Sequence, residues 1–338
     1  MRWMILLVFG VSLFGQERLE VDESIQVFRK IVEVRVLHSG KPVLGLAKDD
    51  FLLKLKGQNV PIQNCEWHEL AVPDYTNEKG IEIVKPKQNP GSKAVGRKLV
   101  FFFQGDFTGQ RNSGRMKGAA RAKEMVQDLR KDDWVAVFSF VSHMKMHSDW
   151  TSDPDQIRSA IDDAFHNTYQ SWPSDDPSQS LEEHFDREHA KEIAKPEVAL
   201  EYLGNVLENS PGTKQIFYVG WGMGRHTQEI ARMKREYEPA IFSLAKSNST
   251  VYSLDISQAD YHSLEVGMQM VAQETGGTYE RLNNFSSGAF DRVLQAVEGY
   301  YLITFNPPSD EYDQGLKYKL KLKKGIKGDV YTRLPRFW

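Results

Sequence analysis

Residues Lys98–Phe140 read as strand, turn, helix, strand, and that order limits the fold more than any other stretch. KLVFFF is a short apolar run with no polar alternation, so a strand there must be covered on both faces. The polar turn QGDFTGQRNSG follows, then RMKGAARAKEMVQDLRK with helical spacing, then a second apolar run, WVAVFSF. Strands buried on both faces and joined through helices make a mostly parallel α/β sheet with helices on both sides. Ligands of such sheets bind outside the carboxyl ends of the strands, which is where the loop after Phe103 must lie.

The alternation continues to residue 305. SDPDQIRSAIDDAF reads as a helix with a Ser or Asp cap, and PEVALEYLGNVLEN as a helix with proline in its first turn. KQIFYVGW is a buried strand, a helix is expected around 228–247, and STVYSLDI is a strand. SLEVGMQMVAQETGG is a helix ended by glycine, FDRVLQAVEGY another helix, and YYLITFNP a strand stopped by Pro307-Pro308. Residues 171–195, SWPSDDPSQSLEEHFDREHAKEIAK, interrupt this pattern with few apolar residues and read as an exposed, partly helical insertion.

Ahead of that domain, residues 24–70 alternate at period two between turn residues and read as a small antiparallel, sandwich-like β unit. Residues 71–96 are rich in Pro, Gly, Lys and Asn and read as a linker. The strands of 299–334 either continue the β unit or lie at the edge of the α/β sheet. The expected division is therefore 1–15, 24–70, 71–96, 97–305 and 306–338.

The first fifteen residues read as an export signal: Arg2 precedes the apolar run Trp3–Phe14, too short to span a bilayer comfortably, with cleavage near Gly15. If retained, this segment is a membrane anchor; if cleaved, the mature chain does not insert. The expected location is the periplasm or the exterior. A net charge of −3 gives no general field for nucleic acid or anionic lipid. In the lysine-rich run at 317–328, charged and apolar residues alternate, as on a solvated strand face. The single cysteine, Cys65, excludes an intramolecular disulfide and reads as a small strand residue.

Several constellations suggest chemistry and then fail on spacing. HMKMH at 143–147 would suit copper, but at period two its methionines form one buried row of a strand. His184 and His189 are five apart, which is not the spacing of a zinc hydrolase helix. GWGMGRHT at 220–227 lacks the lysine and third glycine of a phosphate-cradling loop. Ser253 and Asp255 suggest no triad, since no histidine can be placed beside them.

The chain resembles the von Willebrand factor A-related domain proteins of Acidobacteria. The likeness rests on VEVRVLHSGKPVLGLAKDDFLLKLKGQNVPI, LVFFF with its polar loop, DDWVAVFSF, DWTSD, PGTKQIFYVGWGMG, ETGGTY and GYYLITFNPP, taken in that order. The resemblance implies a doubly wound, mostly parallel sheet with helices on both faces, plus the antiparallel β unit. It also implies a divalent-cation site built from Asp-x-Ser-x-Ser, a threonine and a second aspartate, which supply hard oxygen ligands. Here the first motif falls on Gln104-Gly105-Asp106-Phe107-Thr108, the threonine on Thr168, and the last aspartate on Trp221. Both carboxylates that the motif requires are absent from their positions. No cofactor is expected, Mg²⁺ is disfavoured, and Gln104, Asp106, Thr108, Thr168, Trp221 and Arg225 are expected to rim a protein-binding face. The expected function is that of an exported, non-catalytic module that binds a protein. Two alternatives remain open. One is a metal-dependent adhesin or hydrolase using Asp106 with Asp175, Asp176 or Glu183. The other is an envelope-complex assembly factor whose β unit docks by strand addition.

Overall fold

A computed structural model describes residues 29–69, 96–105, 111–168, 171–227, 230–233, 235–257, 262–282, 286–307 and 318–333. The expected export signal and nearly all of the 71–96 linker lie outside the described residues. The chain opens with strands β1 (Lys30–His38), β2 (Lys41–Pro42), β3 (Phe51–Leu55), β4 (Gln58–Val60) and β5 (Ile62–Glu69). Then come β6 (Lys98–Gln104), α1 (Asn112–Met125), β7 (Trp134–Phe140), β8 (Met144–Thr151), α2 (Pro154–His166), α3 (Arg187–Glu192) and α4 (Pro196–Glu208). The second half holds β9 (Lys214–Gly220), β10 (Arg225–Thr227), β11 (Ile230–Arg232), α5 (Tyr237–Lys246), β12 (Ser249–Asp255) and α6 (Glu265–Thr275). It closes with β13 (Tyr279–Arg281), α7 (Ser286–Ala296), β14 (Gly299–Phe305), β15 (Tyr318–Leu322) and β16 (Asp329–Thr332).

The central sheet runs β13-β12-β9-β6-β7-β8. All its pairings are parallel except that of β7 with β8. This is the doubly wound arrangement the sequence implies. The apolar runs explain why. Val100 and Phe102 of β6 point into a core with Leu200, Leu203, Ile241 and Val271 of α4, α5 and α6. Leu99, Phe101 and Phe103 point the other way, into Ala122, Ile157 and Phe290 of α1, α2 and α7. Opposite faces of one strand thus feed two helical layers. The chain leaves β6 towards β7 on one side and returns to pair β9 on the other, so the winding reverses between β6 and β9.

Local signals set the helices where expected. Asp153 caps α2 by accepting from the Asp155 N–H, and Asn167 ends it in the left-handed region. Gly276, with φ of 81°, ends α6. The helix expected around 228–247 starts only at Tyr237. Ahead of it, Arg225–Thr227 and Ile230–Arg232 pair as an antiparallel ribbon.

The terminal strands continue the β unit instead of edging the central sheet. β14 pairs antiparallel with β1 and β5, β16 pairs with β1, and β15 pairs with β3. An expected boundary at 305 therefore falls just after a strand of the β unit. Val34, Tyr301, Ile303 and Phe305 of one sheet face Phe51, Leu53 and Leu320 of the other, which makes a sandwich. Lys319 and Lys321 stay exposed beside buried Leu320, as the alternation of that run predicts. Cys65 lies half-buried in β5, and burial pushes its thiol up to about 11.

The 171–195 insertion is only partly exposed. Leu181, Phe185, Ala190 and Ile193 join the core on β7 and β8, Trp172 packs against the opposite core, and Ala194 is exposed. Sparse apolar content hid this, because four well-spaced anchors suffice for a segment that short.

Candidate functional site

The carboxyl ends of β6 and β9 form the crevice that a doubly wound sheet offers to ligands. Gln104 ends β6 and is buried. Its Oε1 accepts from the Tyr218 hydroxyl at 2.8 Å, from the Trp221 N–H at 3.0 Å and from the Gly222 N–H at 3.3 Å. Its Nε2 donates to the Gly222 carbonyl at 2.9 Å. One carboxamide thus satisfies the backbone of the neighbouring loop with both a donor and an acceptor, which a carboxylate cannot do. Glycine is needed at 220, where a Cβ would fall 2.6 Å from Gln104 Oε1. Burial pushes the Tyr218 hydroxyl well up, so it stays a donor.

Trp221 locks the crevice from its other side. Its Nε1 donates to the Gly105 carbonyl at 3.0 Å, and its half-buried ring packs on the α1 side of the core. The Arg111 guanidinium lies 4.1 Å from that ring's centroid, a close cation–π contact. A cation at this place would meet a guanidinium and an amide where the motif requires two carboxylates.

The other expected rim residues divide. Thr168 donates to Asp163 Oδ1 at 2.6 Å, so its hydroxyl serves the end of α2. Arg225 enters the β10–β11 ribbon, where it pairs with Arg232. Asp106 and Thr108 lie outside the described residues. Two of the carboxylates expected to rebuild a cation site with Asp106, namely Asp175 and Asp176, are held elsewhere. Asp175 accepts from Thr151 and Ser152 at the start of α2, and Asp176 accepts from Gln179, which in turn accepts from Lys98 Nζ. Lys98 begins β6, so Asp176 stands a strand length, about 20 Å, from the Gly105 end.

The structure also builds a cluster that the sequence did not disclose. Asp255 ends β12, beside Gly220 of β9. Its Oδ1 accepts from the Ser257 N–H at 2.8 Å, and its Oδ2 accepts from Tyr279 at 2.7 Å and from His262 Nε2 at 2.8 Å. Glu265, the first residue of α6, accepts from Arg281 on both oxygens at 2.8 Å and from Gln269 at 3.2 Å. The expectation that no histidine sits beside Asp255 is therefore corrected: His262, seven positions further on, lies against it. Burial alone would raise the Asp255 carboxyl. Hydrogen bonds from His262, Tyr279 and Ser257 outweigh burial and hold it below the ordinary range. The pairing is not a Ser-His-Asp triad, since Ser253 donates to the Met268 carbonyl at 2.9 Å.

The remaining constellations keep structural roles. Met144 and Met146 are buried in the core, and His147 is buried on the opposite row, with Nε2 2.8 Å from Ser139 Oγ. His184 and His189 belong to separate short helices, and the His189 ring meets Tyr202 edge-on. The GWGMG loop leads into a ribbon, not into a helix N-terminus, so it lacks the geometry of a phosphate cradle.

No family model matches the chain, and no curated protein matches it. Solved structures do. A von Willebrand factor type A protein from Catenulispora acidiphila aligns at 12% identity and a TM-score of 0.39, over 70% of this chain and 65% of that one. The von Willebrand factor domain of the type V pili tip protein Mfa5 from Porphyromonas gingivalis aligns at 10% identity and 0.39, over 60% and 95%. Proximal thread matrix protein 1 from the mussel byssus aligns at 11% identity and 0.40 over 60% of this chain, which spans about half (47%) of that protein. Likenesses this distant carry no argument about function, and the fold stands on the strand order itself.

Proposed function

We propose that this chain is an exported, non-catalytic binding module that recognises a protein through the β6–β9 end of its central sheet, without a cation there. One observation carries the reading. The Gln104 carboxamide uses its hydrogen bonds to tie the β9 loop in place, and this leaves a half-buried Trp221 indole under Arg111 at the crevice. An aromatic ring rigidly held beside a guanidinium is the kind of anchor that dominates protein interfaces. The non-catalytic part is supported by the state of the nucleophiles: Ser253 is spent on a backbone carbonyl, and Cys65 is held as a thiol by burial. Export is supported by Arg2 and the apolar run after it.

The test is affinity capture from envelope extracts of the native cells in EDTA, using the wild type, Trp221→Ala and Arg111→Ala. A partner captured in EDTA and lost in Trp221→Ala supports the reading. A partner that ignores Trp221, or that leaves when EDTA is added, overturns it.

A further inference from the structure

We propose that Asp255, His262 and Glu265 hold a divalent transition-metal ion, with Zn²⁺ preferred. One ligand atom from each of the three lies within 4.8 Å of the others, close enough that a small inward shift of the side chains would bring all three onto one ion. The set is one imidazole nitrogen and two carboxylate oxygens. A nitrogen ligand favours Zn²⁺ over Mg²⁺ or Ca²⁺, and the usual affinity order places Mn²⁺ below Zn²⁺.

Three features beyond proximity point to an ion. The first is charge. Asp255 is 0% exposed and Glu265 is 2% exposed, yet among the described residues one guanidinium, Arg281, pairs with this couple of buried carboxylates. Two buried carboxylates set against one guanidinium leave room for a further cation, because buried negative charge is costly unless it is paired. The second is the outer partners. Ser257 N–H and Tyr279 orient the Asp255 carboxylate, while Arg281 and Gln269 orient that of Glu265. Groups hydrogen-bonded in this way are what aim metal ligands at a common point. The third is an unmet hydroxyl. Ser257 is 8% exposed, and its Oγ has no hydrogen-bond partner among the described residues although its own N–H sits on Asp255. A water carried by the ion would supply that partner. His262 is the most exposed of the three ligands and marks the side from which the ion enters.

This site is separate from the Gln104–Trp221 crevice but abuts it. Met223 N–H donates to the Leu264 carbonyl at 3.4 Å, so the β9 loop rests on the turn between His262 and Glu265. The two proposals do not depend on each other, and their failures are distinguishable.

The experiment is calorimetric titration of the full chain with ZnCl₂, MnCl₂ and MgCl₂. The variants are His262→Ala, Glu265→Gln, Trp221→Ala and the control His184→Ala, each checked for folding by circular dichroism. The expected result is one Zn²⁺ per chain, bound more tightly than Mn²⁺, with no saturable Mg²⁺ binding at these residues. Affinity should fall at least about tenfold in His262→Ala and Glu265→Gln, and stay unchanged in Trp221→Ala and His184→Ala. If Glu265→Gln loses its fold, His262→Ala decides alone, because His262 is the least buried ligand. Absent Zn²⁺ binding, or binding that survives His262→Ala, overturns the proposal and leaves Asp255 and His262 as a plain hydrogen-bonded pair.

Discussion

Single side chains set the character of the crevice. Replacing Gln104 with alanine would leave the Trp221 and Gly222 amides and the Tyr218 hydroxyl without their acceptor. We expect a stability loss of about 3 kcal/mol, read as a lower midpoint in urea, since buried donors without partners are expensive. An unchanged midpoint would mean that the loop does not depend on that amide. His147 gives a pH-dependent counterpart. Burial pushes its imidazole down to about 4, so the folded chain refuses a proton that the unfolded chain accepts below 6.5. Its stability is whole above pH 6.5 and is lost as pH falls towards 4, by on the order of 3 kcal/mol. Urea midpoints at pH 7 and pH 4.5 should therefore diverge less in His147→Gln than in the wild type. At this scale the sequence was legible at the ends of β6 and β9, where Gln104 and Trp221 drew notice and the structure joins them by a hydrogen bond. It was not legible where a loop creates chemistry, since nothing local to His262 marks its approach to Asp255.

Among the elements, period and apolar runs announced the buried strands, and caps announced α2, α4 and α6. The β10–β11 ribbon was missed because two three-residue strands carry no periodic signal of their own. The core contacts of the 171–195 insertion were missed because a count of apolar residues says nothing about where each one points. Helix α1 shows what the pattern conceals. At Gly114 a Cβ would lie 2.0 Å from the Ile256 carbonyl oxygen, so α1 presses on the end of β12 with no room for a side chain. Gly114→Ala should lift α1 and cost about 1–3 kcal/mol, despite the better helix propensity of alanine. A stabilised variant in thermal melts would show that α1 does not pack that closely.

Across the whole molecule, the β unit and the crevice occupy opposite ends of the central sheet. Arg35 of β1 is buried and reaches the starts of β9 and β12, donating to Gln215 at 3.2 Å and to Thr250 at 3.5 Å while pairing with Glu33 at 2.5 Å. Leu37 and Tyr331 of the β unit pack into the α/β core itself. The two units should therefore melt in one transition. Arg35→Ala, which strands Glu33 and Gln215, should lower stability by about 3 kcal/mol. Two separate transitions in the wild type would contradict that coupling. The sequence already placed strands at both termini but left open which sheet they join. Their pairing with β1 and β3 is a long-range choice that no local pattern records. The central claim is the proposal for the opposite end, that its crevice binds a protein without a cation. Its most direct test is calorimetric titration of the full chain with MgCl₂, beside Asp106→Ala and Thr168→Ala. The account predicts no saturable heat that depends on either residue. Sub-millimolar Mg²⁺ binding lost in Asp106→Ala would contradict it.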